Sequence, residues 1–207
     1  MSKILVLGDV MLDKYSYGTV QRLNPEWPNP LLSIESEEYR LWWSANVAAN
    51  ISSLNDGCDL LGLVGNDKHK DIFSRLCNNT NVKFHELVTK FPTITKQRFI
   101  ENTYKQQLLR VDYEEYFSLS DDEVFSIIEI VKSNNYEYIV ISDYDKWLIS
   151  EKLIEELKNT LPLMPGIKAL CQVLKHHNWY LAIASGGFVP FAERVKELIN
   201  LDEVHAN

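Results

Sequence analysis

Polar residues able to hold a small molecule follow directly on apolar runs at three places. Residues 3–7 (Lys-Ile-Leu-Val-Leu) run into Gly8-Asp9, Leu60 to Val64 runs into Gly65-Asn66, and Tyr138 to Ile141 runs into Ser142-Asp143. A carboxylate or amide at the carboxyl end of a buried strand faces the crevice where open α/β sheets take their ligands. The same residue types also make turns and helix caps, so the pattern favours a small-molecule site without defining one. A fourth place is Ser185-Gly186-Gly187, after Tyr180 to Ala184 and before an amphipathic stretch from Phe191 to Ile199. Its hydroxyl and backbone N–H groups suit a phosphate at a helix start, and equally an ordinary strand-to-helix turn. Metal chemistry is not signalled: Cys58, Cys77 and Cys171 have no CxxC spacing, and the five histidines form no helical ligand pair.

The elements that must position these residues alternate. Short apolar runs at 3–7, 31–34, 60–64, 82–87, 94–100, 107–111 and 138–141 read as strands. Between them, Ala45, Val47, Ala48, Ile51 and Leu54 fall on one helical stripe, and Asp67 caps a helix reaching about Cys77. Ser120-Asp121-Asp122-Glu123 is a capping box before Val124, Ile127, Ile128 and Val131. Ser150 to Leu161 is again helical. Alternation of this kind predicts an α/β sheet with its ligand crevice at the strand carboxyl ends. A second register begins at Pro162-Leu163-Met164-Pro165-Gly166, followed by the helical stripe Ile167, Leu170, Val173 and Leu174.

The 207 residues carry 21 basic against 29 acidic side chains, a formal charge of −8, with 45% apolar residues. That balance excludes a general nucleic-acid or membrane-surface binder, which needs clustered Lys and Arg, and it leaves room for a local basic site. The four-residue apolar run before Gly8-Asp9 fits neither a signal peptide nor a membrane span, and scattered cysteines fit a reducing compartment, so a cytoplasmic location is expected. Glycine is scarce: there are 8, where average usage of about 7% predicts roughly 14, and none lies between Gly65 and Gly166.

Six stretches in order resemble the motifs of the ribokinase-like (PfkB) sugar kinases. They are residues 4–14 (Ile-Leu-Val-Leu-Gly-Asp-Val-Met-Leu-Asp-Lys), 24–26 (Asn-Pro-Glu), 44–50 (Ser-Ala-Asn-Val-Ala-Ala-Asn), 92–98 (Pro-Thr-Ile-Thr-Lys-Gln-Arg), 106–112 (Gln-Gln-Leu-Leu-Arg-Val-Asp) and 142–144 (Ser-Asp-Tyr). The resemblance is nearest to the heptose-7-phosphate kinases of ADP-heptose synthesis. It implies a three-layer α/β fold with a small β lid over residues 1–161, ATP with Mg²⁺ as phosphoryl donor, and a sugar phosphate as acceptor. It also implies lid strands, Leu31 to Ile34 and Ile94 to Val111, that pair two copies into a homodimer. Carried over by motif, the substrate-binding residues are Asp9, Asp13, Asn24, Trp42, Trp43, Asn46, Lys96, Arg98, Gln107, Arg110 and Asp143. Asp and Asn suit sugar hydroxyls, and Lys96, Arg98 and Arg110 suit the phosphate already on the sugar. The cations have plain alternatives as surface charges or as partners of Glu101, Asp112 or Glu114.

Residues 162–207 resemble a different family, the phosphoserine phosphatases of the haloacid dehalogenase superfamily, through Pro162 to Gly166, Ala182 to Phe188 and Val204 to Asn207. That resemblance implies a partial Rossmann-like segment in which Ser185, Gly186 and Gly187 bind phosphate. Both resemblances are incomplete. The Gly-Ala-Gly-Asp segment that carries the kinases' base is absent from these residues, so no catalytic residue is assigned and an inactive fused fragment is expected. Asp143-Tyr144-Asp145 has the phosphatase nucleophile spacing but stands on a kinase motif, before Lys146-Trp147. The kinases carry Gly where this chain has Trp42, Trp43 and Trp147. Either the indoles are real and fill the pocket, or the gene comes from a genome that reads UGA as Gly; UGG codons at all three positions overturn the second reading.

Overall fold

A computed structural model describes residues 3–115, 118–144, 146, 148–158, 166–185 and 189–206. In chain order the elements are β1 (Ile4–Gly8), β2 (Val10–Leu23), β3 (Pro30–Trp43), α1 (Ser44–Leu54), β4 (Cys58–Gly65), α2 (Lys68–Asn79), β5 (Val82–Thr89), β6 (Thr95–Glu101), β7 (Gln106–Tyr113), α3 (Asp121–Ser133), β8 (Tyr138–Ser142), α4 (Glu151–Lys158), α5 (Ile167–His176), β9 (Ala182–Ser185), α6 (Val189–Ile199) and β10 (Glu203–Ala206). They fall into two compact units, one of Met1–Glu123 with Asn135–Ile149, the other of Val124–Asn134 with Ser150–Asn207.

The first unit holds two sheets. The strands β5-β4-β1-β8 are all parallel, and their apolar runs (Leu5, Val6 and Leu7; Leu60, Leu61 and Val64) are closed to solvent, as a parallel sheet covered by helices requires. One face packs on the stripes of α1 and α2, with Ala45, Ala48, Phe73 and Cys77 buried against Val6, Leu60 and Val82. Phe73 meets Phe84 at a ring separation of 4.8 Å. Burying Phe73 alone is worth about 2 to 3 kcal/mol of transfer free energy.

The second sheet, in the order β3-β2-β6-β7, grows directly out of the first. Only Asp9 separates β1 from β2, and β3 passes into α1 at Trp43-Ser44 without a loop. The two crossings are tied together, Val10 pairing with Trp43 and the Ser44 N–H donating to the Asp9 carbonyl at 3.2 Å. Gly8 is required here, because a Cβ would strike the Ser142 carbonyl and the Ser44 hydroxyl. At the far end Asn24 makes the turn, its Oδ1 accepting the Glu26 N–H at 3.0 Å.

The sequence reading finds β1, β4 to β8 and the helices within a few residues, and the Ser120 capping box forms, with Glu123 N–H on the Ser120 hydroxyl and Ser120 N–H on the Glu123 carboxylate. It misses β2 altogether and sees only four residues of β3, which has 14. Both strands are polar on both faces over much of their length, so the period-two contrast that marks a half-buried strand is lacking.

In the second unit β9 and β10 are parallel, in register from Ala182–Glu203 to Ser185–Ala206, with α6 between them in sequence. Asp202 ties this unit, accepting the Leu181 N–H at 2.6 Å and pairing with Lys175. Trp147, Gly186, Gly187 and the expected border at 161–162 lie outside the described residues.

Candidate functional site

Strand alternation decides which side chains share a face. On β2, Met11, Asp13 and Tyr15 point one way. Their registered neighbours are Trp42, Arg40 and Glu38 on β3, and Lys96 and Arg98 on β6 opposite Asp13 and Tyr15. On β7, Asp112 stands opposite Lys96 and Arg110 opposite Arg98. One face of the second sheet, which contains the strands expected as the lid and is called the lid below, thus gathers four cations, Arg40, Lys96, Arg98 and Arg110, around Asp13, Glu38 and Asp112.

Asp13 is fully buried and pairs with Arg98, while Tyr15 donates its hydroxyl to the other carboxylate oxygen at 2.9 Å. Arg110 forks onto Asp112 at 2.9 and 3.1 Å, and Lys96 reaches the same carboxylate at 3.8 Å. Burial first, then the facing Arg110, push the Arg98 guanidinium below its usual value. Two guanidiniums directly opposite on a sheet repel, and an anion placed between them relieves both. Arg40 forks onto Glu38 at 2.7 and 3.1 Å and lies 4.6 Å from the centre of the Tyr15 ring. Sequence reasoning missed Arg40; its two-residue spacing from Trp42 was the available signal, hidden because β3 was not seen as a long strand.

At the junction of the two sheets Asp9 is 3% exposed, and its carboxylate accepts backbone N–H groups from Tyr144 at 2.9 Å, Lys146 at 3.1 Å and Leu148 at 3.2 Å. Burial raises the Asp9 carboxyl above its ordinary value, the three N–H groups oppose this, and Asp143 adds to the rise. The Asp9 side chain is therefore committed to holding the loop after β8. Asp143 lies beside it, exposed, one residue past the Gly8–Ser142 register pair.

Trp43 has φ 53° and ψ −129°, a conformation natural to glycine and costing a bulky residue about 1 to 3 kcal/mol. Its indole is 8% exposed, packed with Met11 and Ile94, stacked on Tyr144 at 5.2 Å and 16°, with the Lys96 ammonium 4.9 Å from its centre. Trp42 has an ordinary backbone and stays 43% exposed. Asn46 is exposed in the first turn of α1.

The structure thus brings Asp13, Lys96, Arg98, Arg110 and Trp42 onto one face, with Trp43, Asn46, Asp9 and Asp143 at the junction. Asn24, in the turn just past β2, stands eleven residues from Asp13, about 36 Å at strand rise, and Gln107 lies near the far end of β7 opposite Ile100. Ser185 ends β9 in the other unit. No three His, Cys, Asp or Glu side chains converge for a metal ion among the described residues, so none of them is assigned to Mg²⁺. No helix there is long and apolar enough to cross a membrane. A cavity of about 580 Å³ lined by Lys3, Asp56, Asn78 and Lys83 opens at the opposite, amino ends of β1, β4 and β5.

The α/β fold with its parallel sheet matches that of carbohydrate kinases of known structure. A carbohydrate kinase from Agrobacterium tumefaciens superposes with a TM-score of 0.53 and 15% identity over 99% of this chain and 60% of that one. Phosphofructokinase-2 from Escherichia coli in complex with fructose-6-phosphate does so at 0.57 and 15% over 98% and 65%. In sequence the chain is 41% identical over 154 residues to the bifunctional protein HldE of Haemophilus influenzae, covering 72% of this chain and 31% of that one. Against HldE of Actinobacillus pleuropneumoniae it is 40% identical over 147 residues, covering 70% and 30%. The chain therefore spans about a third of the length of these relatives. No family model matches it.

Proposed function

We propose that this chain is the sugar-side part of an ATP-dependent carbohydrate kinase and binds a sugar phosphate, heptose 7-phosphate by its resemblance to the heptose kinases. The observation that carries the reading is the lid face, where Lys96, Arg98 and Arg110 gather about Asp13. On this reading the phosphate sits between Arg98 and Arg110, each able to offer a planar fork, and Asp13, closed to solvent with its oxygens engaged by Arg98 and Tyr15, positions the Arg98 guanidinium and does not face the sugar. Asn46 both donates and accepts at the junction. The likeness to HldE supports ATP as donor, and Mg²⁺ follows by resemblance; no described residue is assigned to either. Transfer joins a sugar oxygen to the γ-phosphorus as the bond to ADP breaks, and the hydroxyl proton goes to a base. No residue here is assigned as that base, so we propose that the 207-residue chain binds without transferring. A homodimer through the lid strands belongs to the same reading.

Calorimetric titration of the purified chain with heptose 7-phosphate and with the unphosphorylated heptose tests this. The phosphorylated sugar is expected to bind at least tenfold more tightly, and Arg110→Ala to remove most of that advantage. Equal affinity for the two sugars, or steady ADP release with heptose 7-phosphate, overturns the corresponding part.

The phosphatase-like reading of residues 162–207 is favoured by one observation, the parallel β9-α6-β10 unit preceded by α5. We propose it as a fragment with Ser185, Gly186 and Gly187 at the phosphate position. No hydrolysis of phosphoserine in the presence of Mg²⁺ is expected of it, and phosphate release would restore it as an enzyme.

A further inference from the structure

The carboxyl ends of β1 and β8 are polar by sequence, with Gly8-Asp9 and Ser142-Asp143, yet their junction with the lid holds a buried indole. Trp43 reaches that place from a left-handed backbone at the point where β3 turns into α1, one of the two crossings between sheet and lid. Its neighbours come from both sides: Ile94 and Lys96 from the lid and the segment leading to it, Tyr144 from the loop that Asp9 holds. With Tyr144 stacked on it, an ammonium over it and 8% of its surface exposed, the indole has no face left on which a sugar ring could stack. It also engages Lys96, one of the cations of the phosphate site, in a cation–π contact.

We propose that Trp43 is an occluding plug. Its side chain fills the space between the lid and the loop after β8, so that a sugar phosphate seats fully only when the indole swings out, and its displacement also frees Lys96. The proposal rests on the sugar-phosphate reading above. Trp42, exposed and unstrained one residue earlier, plays no such part.

Three variants of the full chain test it: Trp43→Gly, which removes the plug where glycine fits the backbone, Tyr144→Ala, which removes only the plug's stacking partner, and Trp27→Gly, which deletes an exposed indole in the β2–β3 turn. With heptose 7-phosphate in calorimetry, Trp43→Gly is expected to bind at least tenfold more tightly than the parent, Tyr144→Ala severalfold more tightly, and Trp27→Gly equally. Without ligand, hydrogen exchange at the Tyr144 and Leu148 amides is expected to stay slow in Trp43→Gly, because Asp9 still holds them. Parent and Trp43→Gly binding with equal affinity overturns the plug and leaves the sugar-phosphate reading standing. Binding by neither, with the amides still protected, overturns both. Should Trp43→Gly fail to fold, unchanged affinity in Tyr144→Ala overturns the plug.

Discussion

A buried carboxylate with a single cationic partner is a sharp test of how the lid is held. Asp13 is closed to solvent and pairs with Arg98, so Arg98→Ala strands a charge and is expected to cost about 3 to 5 kcal/mol in denaturant unfolding. The double variant Asp13→Asn/Arg98→Met removes both charges and is expected to recover most of that loss, which a double-mutant cycle measures. Asp9 acts differently, as an acceptor for three amides of one loop. Asp9→Ala leaves Tyr144, Lys146 and Leu148 N–H groups without it and is expected to cost about 3 kcal/mol, while Asp9→Asn keeps an acceptor oxygen and costs about half as much. Asp9 was legible in the sequence as a residue at a strand end. Its commitment to the Tyr144, Lys146 and Leu148 amides was not, because nothing local records a partner about 135 positions away.

At the scale of elements, α2 fastens the entry of the lid. Asp67 caps the helix through the His69 and Lys70 N–H groups at 2.9 and 3.2 Å and also takes the Thr93 N–H at 2.8 Å and the Thr93 hydroxyl at 3.0 Å. Burial works to raise this carboxyl, but the bonds from Thr93, Lys70 and His69 outweigh it and hold Asp67 below its ordinary 3.8. A lowered carboxyl contributes stability that is complete above 3.8 and is lost as pH falls below it. Thermal unfolding across pH 3 to 5 is therefore expected to show an acid-side decline that Asp67→Asn flattens. Two residues on, His69 meets the Thr95 hydroxyl at 3.2 Å and lies against Tyr39. Burial chiefly holds its imidazole below the ordinary 6.5, so its contribution is complete above 6.5 and shrinks as pH falls. His69→Asn is expected to remove that part of the slope between about pH 6.5 and 5. The cap was readable at Asp67 because capping is local. The lid was not, since β2 and β3 display charge on both faces and owe their length to pairing with each other and with β6.

For the molecule as a whole, a net charge of −8 surrounds a lid face on which four cations meet three carboxylates. The background repels an anionic ligand and the face attracts it, so salt acts on the phosphate and not on the sugar. Raising ionic strength from about 0.05 to 0.5 M shortens the screening length to a few ångströms. Heptose 7-phosphate affinity is expected to fall severalfold over that range while that of the unphosphorylated sugar stays level. The sequence could place Lys96, Arg98 and Arg110 on strands, though not Arg40, and which cations share a face depended on the register between strands far apart in the chain. The same distance has a meaning in time. β1 lies inside its sheet, between β4 and β8, and its Gly8 finds Ser142 only when β8 exists. A ribosome adding 5 to 20 residues per second needs about 7 to 27 s to travel from one to the other. Through that interval Leu5, Val6 and Leu7 form an apolar strand with one edge unpaired. β1 is thus made well before it can be completed, and the nascent chain is most open to aggregation and to chaperones before residue 142 has emerged.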